Sequence, residues 1–128
     1  MILTNNEILD NYIRLKEFKE KEVSLPVKLS YALSRNQKLL EGYVVDIEKV
    51  RIELIQKYGN VTSDGEYKID KENIEHFSKE LKELLDIEND LPLSTITEKE
   101  LLNMNVNLST KDIDSILFFV VSETSITD

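Results

Sequence analysis

The stretch LPVKLSYALSRNQKLLEGYVVDIEKVRIELIQKYG, residues 25–59, decides how this chain folds. Along it Leu29, Leu33, Asn36, Leu40, Tyr43, Ile47, Val50 and Leu54 recur at spacings of 4, 3, 4, 3, 4, 3 and 4. An apolar repeat averaging about 3.5 residues keeps one stripe of a helix facing a partner. Pro26 suits a first helical turn, where the missing N–H would have no intrahelical acceptor. The spacing predicts a helix over 26–58, roughly 50 Å long at the usual rise per residue. Gly59 and Asn60 are expected to end it in a left-handed cap. Asn36 is a polar member of the seam, of the kind that fixes register in coiled coils. Gly42 weakens the middle by about 1 kcal/mol relative to Ala.

Outward from this helix, Ser63-Asp64-Gly65 signals a turn, with Val61, Tyr67 and Ile69 as a minimal hairpin around it. Ile74, Phe77, Leu81 and Leu84 then predict a helix over 71–88. An antiparallel helical hairpin over 26–88 buries both stripes. Before it, Ile8, Tyr12 and Leu15, flanked by Leu9, Ile13 and Phe18, predict a helix over 5–21 capped by Thr4 or Asn5. After it, Pro92 breaks the pattern, and Leu91, Leu93 and Ile96 suggest an edge strand beside an extended Met1-Ile2-Leu3. Thr97 to Glu100 and Ser109 to Asp112 have capping-box spacing. The first opens a helix to about residue 104. The second opens a last helix over 110–122, with Ile113, Ile116, Leu117 and Val120 inward and Phe118 and Phe119 making it apolar nearly all round. The expected fold is mainly α: one domain over 1–128, with the hairpin at 26–88, a base from 1–25 and 89–122 containing a small two-stranded β element, and a tail at 123–128.

The chain has 128 residues, 41% hydrophobic and 32% charged, and a net charge of -9 from 25 acidic against 16 basic residues. That balance argues against a direct nucleic-acid partner, which needs clustered Lys and Arg. There is no cysteine, so disulfides, thiolate metal sites and a Cys nucleophile are excluded. The longest apolar run is the six residues from Ile116 to Val121, too short for a membrane span. The start, MILTNNEILD, lacks the pattern of a signal peptide. A cytoplasmic protein is expected.

Little catalytic chemistry is visible. His76 is the single histidine, with Glu72 and Glu80 four residues to either side, but a metal site needs more converging ligands. The carboxylates of 86–90 lack EF-hand spacing and read as solvated. There is no nucleophile elbow, and three dispersed glycines make no phosphate cradle. Lys28, Arg35 and Lys38 form a local basic cluster on the long helix, read first as a solvated face. No catalytic, cofactor-binding or metal residue is assigned, and no cofactor is expected.

The run from Leu-Pro-Val-Lys-Leu-Ser-Tyr through the Asp-Gly-x-Tyr turn to Glu-Leu-x-Glu-Leu-Leu-Asp-Ile-Glu, then LSTKDIDSILFF, resembles a family of short, functionally uncharacterised proteins of phages and prophages of Gram-positive bacteria. The resemblance implies a phage setting, in the host cytoplasm or on the phage, and carries no functional residue. Together these readings lead to a non-enzymatic interaction module, an assembly or adaptor factor. An acidic inhibitor of a host defence or nucleic-acid-binding protein is the alternative. Because the long seam outruns the 71–88 helix, part of it needs another cover: the first or last helix, or a second copy in a homodimer. Asn36, Leu40, Tyr43, Ile47, Phe118 and Phe119 are the expected contact residues.

Overall fold

The computed structural model describes residues 1–21 and 23–123. Its spine is α2 (Val27–Tyr58), 32 residues long, preceded by Pro26 in extended conformation. Leu29, Leu33, Leu40 and Ile47 of the seam are buried, Tyr43 and Leu54 half-buried, and Val50 is 39% exposed. The heptad stripe is therefore a true packing seam over its first two thirds and opens towards its end.

Two shorter helices cover it. α1 (Asn5–Lys19) starts at Thr4, whose hydroxyl accepts from Glu7 N while the Glu7 carboxylate accepts from Thr4 N. This reciprocal pairing satisfies two otherwise orphaned donors. Ile8, Leu15 and Phe18 face the core, while Ile13 is 56% exposed and lies off the stripe. α3 (Ile74–Leu85), entered through a 3-10 turn at Lys71–Asn73, packs against the far end of α2. There Asn73 Nδ2 donates to the Tyr58 carbonyl, and Lys57 pairs with Glu80.

α1 and α3 meet at Asn5. Its backbone N–H donates to the Ile87 carbonyl at 2.9 Å, and its Nδ2 to the Leu84 carbonyl at 2.8 Å. The Leu84 carbonyl is one of the last four of α3, which have no acceptor role left within the helix. A side chain at the start of α1 thus caps the end of α3. Their 15 and 12 residues together nearly match the 32 of α2. Over its first two thirds the seam is covered within one chain, chiefly by the first helix, and the hairpin is the pair α1–α2 as much as α2–α3.

Three two-stranded sheets tie the ends down. β2 (Gly59–Val61) pairs antiparallel with β3 (Tyr67–Ile69) around the expected turn. Gly65 takes φ 82 there, a conformation that favours glycine. Gly59 departs from the sequence expectation. It is extended, with φ -142, and begins the strand instead of forming a left-handed cap. A Cβ on it would collide with the Lys68 carbonyl, so glycine is needed for close strand approach.

β1 (Ile2–Thr4) pairs antiparallel with β4 (Glu88–Asp90), Leu3 opposite Asn89. The N-terminal strand forms as expected, but its partner lies upstream of Pro92, where every residue retains an N–H to donate. β5 (Ile96–Thr97) instead pairs in parallel with β6 (Val120–Val121). The expected helix over 110–122 therefore stops early. α5 (Thr110–Ile116) gives way to a 3-10 turn at Leu117–Phe119 and then to β6, whose β-branched pair favours extended backbone beside an available strand. Both capping boxes form, at Thr97 for α4 (Glu98–Leu102) and at Ser109 for α5. The expected tail lies outside the described residues except Glu123, whose carboxylate accepts from Lys99 N at 2.7 Å.

Candidate interaction surface

The six expected contact residues do not share a surface. Leu40 and Phe119 are fully buried and Ile47 nearly so. Tyr43 and Phe118 are half-buried, and Phe118 meets Phe119 edge-to-face at 5.1 Å between ring centres. Asn36 is 0% exposed, and its role is specific. Its Nδ2 donates to the Ser94 carbonyl at 2.9 Å, and its Oδ1 accepts from Ser94 N at 2.8 Å. The amide thus copies a strand partner and pins the irregular segment 91–95 to the spine. Buried backbone polar groups must be paired, and here one side chain pairs both groups of one residue. Four of the six are interior in the folded chain: they hold the fold together and present no surface.

The accessible side of this clamp is a groove of ≈ 320 Å³ between α2 and the 91–95 segment. Arg35, Lys38, Leu39, Pro92 and Ser94 line it, with Asn36 at its base. Lys28, read in sequence with Arg35 and Lys38 as one basic cluster, is instead tied to Glu100. Arg35 and Lys38 form no ion pair with an acid among the described residues. Sequence reasoning named the cluster but missed Ser94 and Pro92, which lie 58 and 57 positions from Asn36 and Arg35; no local signal reports such a contact.

Acidic groups concentrate elsewhere. Residues 64–90 contain ten acidic and four basic residues, six of the nine net negative charges. From Val27 to Leu40, by contrast, there are three basic residues and no acidic one. Exposed Val27 and Tyr31 extend the basic end of α2 with apolar area.

His76 is exposed and stacks on Tyr58 with ring centres 6.4 Å apart. Its neighbour Glu80 is held below its ordinary pKa by the Tyr58 hydroxyl and then Lys57. Among the described residues no group of three His, Cys, Asp or Glu side chains is placed to hold a metal ion. Nor is any described helix long and apolar enough to cross a membrane.

Asp112 is the other electrostatic feature. It is buried beside Lys21 at 2.5 Å and doubles as the capping-box carboxylate of α5. The Lys21 ammonium, followed by the Ser109 hydrogen bonds, holds its pKa below the ordinary carboxylate value against the opposing effect of burial.

The fold and this surface define a mainly α protein: a long helix pair with short helices and two-stranded sheets on its flank. No protein-family model matches the chain, and comparison with curated proteins and with solved structures gives no significant match.

Proposed function

We propose that this chain is a non-enzymatic protein-interaction module, acting as an assembly or adaptor factor encoded by a phage or prophage and working in the host cytoplasm or on the phage particle. The observation that carries the reading is the separation of charge along the spine. A basic, partly apolar face at the start of α2 is followed in the same chain by an acidic region over 64–90. Opposed patches of this kind steer and orient protein partners. The partner is another protein or a second copy of the chain, with no direct role for nucleic acid or a membrane.

The alternative is an acidic inhibitor that occupies the basic groove of a host protein, which the charge of 64–90 favours. Affinity capture from infected or lysogenic cells separates the two. Stoichiometric recovery of phage structural or assembly proteins supports the adaptor. Recovery of a host defence or nucleic-acid-binding protein supports the inhibitor. A chain that is strictly monomeric at high concentration and retains no protein overturns both.

A further inference from the structure

We infer that the groove beside Asn36 is a docking site for a short acidic segment of a partner protein, one that sets a carboxylate next to an apolar side chain. The inference rests on the interaction reading above and names the chemistry of its partner.

Four observations converge. First, Arg35 and Lys38 stand three residues apart on α2, a spacing that puts two side chains on neighbouring positions of one helix face. Two like charges so placed repel, and among the described residues neither is in an ion pair, although Glu41 stands three positions beyond Lys38 on the same helix. A local rule broken without an internal compensation is what a binding site looks like. Second, the nearby Lys28 is neutralised by Glu100, so pairing is available to this face and is used where the groove does not need the charge. Third, Leu39 and Pro92 give the groove apolar walls. A free anion gains nothing from these, whereas a peptide side chain does. Fourth, the 91–95 wall is already fixed, through the paired hydrogen bonds of Asn36 to Ser94 and that of Leu91 N to the Met1 carbonyl. A wall held in place costs little further ordering when a ligand arrives.

The geometry assigns each part a role. The Arg35 guanidinium receives a carboxylate in its two-pronged fashion. The Lys38 ammonium meets the same or the next carboxylate. Leu39 and Pro92 take the adjoining apolar side chain. No bond is made or broken.

The test uses the full chain and two short fluorescein-labelled peptides, one alternating Asp and Leu, the other Lys and Leu, read by fluorescence anisotropy. The Asp–Leu peptide is expected to bind, weakening as salt rises, and the Lys–Leu peptide not to bind. Arg35→Glu with Lys38→Glu is expected to weaken binding about tenfold or more. Lys49→Glu, on an exposed position of the same helix, is expected to leave it unchanged. Equal loss in both variants, no binding of the Asp–Leu peptide, or its full displacement by millimolar inorganic phosphate overturns the proposal, the last by showing a free-anion site. The same variants used in affinity capture separate this inference from the reading beneath it. A partner retained equally by wild type and R35E/K38E removes the groove alone; a partner retained by neither removes both.

Discussion

The two ends of α2 have the same heptad spacing and very different surroundings. From Leu29 to Ile47 the seam is enclosed by α1 and by the segment clamped through Asn36. From Val50 to Tyr58 it meets α3 on one flank, and Val50 and Ile52 are each 39% exposed. The ion pairs of that end, Arg51–Glu48 and Lys57–Glu80, are exposed and contribute little. A periodic stripe thus specifies which face of a helix can be buried; how many neighbours arrive decides how much of it is.

Truncation along the seam breaks or upholds this contrast most strongly. Leu40→Ala is expected to cost about 3 kcal/mol in urea unfolding, since a fully buried Leu leaves a cavity. Leu54→Ala, half-buried, is expected to cost about 1 kcal/mol. Equal losses would mean that both ends are enclosed alike. Next in size, Asn36→Leu removes both partners of Ser94 and leaves its N–H and carbonyl without their side-chain clamp. A loss of about 2 kcal/mol is expected despite the gain in apolarity. A stabilised variant would show that the clamp is dispensable.

At the base, Ser109→Ala removes one half of a capping box, for an expected loss of about 1 kcal/mol by the same assay. Asp112 adds a dependence on pH. Because its folded pKa lies below the unfolded value of about 3.9, its contribution is present above that value and fades as pH falls through the lower folded pKa. Lys21→Met should remove part of that contribution near neutrality and flatten the loss of stability between roughly pH 4 and the acid limit. An unchanged acid limb would count against the ion pair. The smallest effect is expected at Gly42, which lies between the two ends of the helix with nothing within 4 Å of an added Cβ. Gly42→Ala should gain up to about 1 kcal/mol. A loss instead would expose a backbone contact at this position.

Much of the architecture was legible in the sequence because it rests on local signals. Apolar spacing marked α1, α2 and α3, and the capping residues Thr4, Thr97 and Ser109 open their helices as expected. The turn at Gly65 was equally plain. What was hidden depends on residues far apart in the chain. Nothing near Asn36 announces Ser94, so a seam asparagine read as a register mark proved to be a backbone clamp. The run from Phe118 to Val121 reads as a buried helix until β5 offers it a strand partner. Gly59 reads as a cap until the Lys68 backbone is found against it. The spacing leaves the cover of the long seam open among the first helix, the last helix and a second copy; α1 supplies it over the first two thirds and meets α3 at the Asn5 joint. Of the groove, the basic half was visible in sequence and the Pro92–Ser94 wall was not.

α2 is enclosed within its own chain over Leu29 to Ile47 and open beyond. Native-state hydrogen exchange of the α2 amides tests it most directly. The amides over 33–47 are predicted to exchange only through global unfolding, and those over 51–58 through a lower-energy opening that separates α3 from the spine. Uniform protection along the helix, or faster exchange in its first half, would contradict the account.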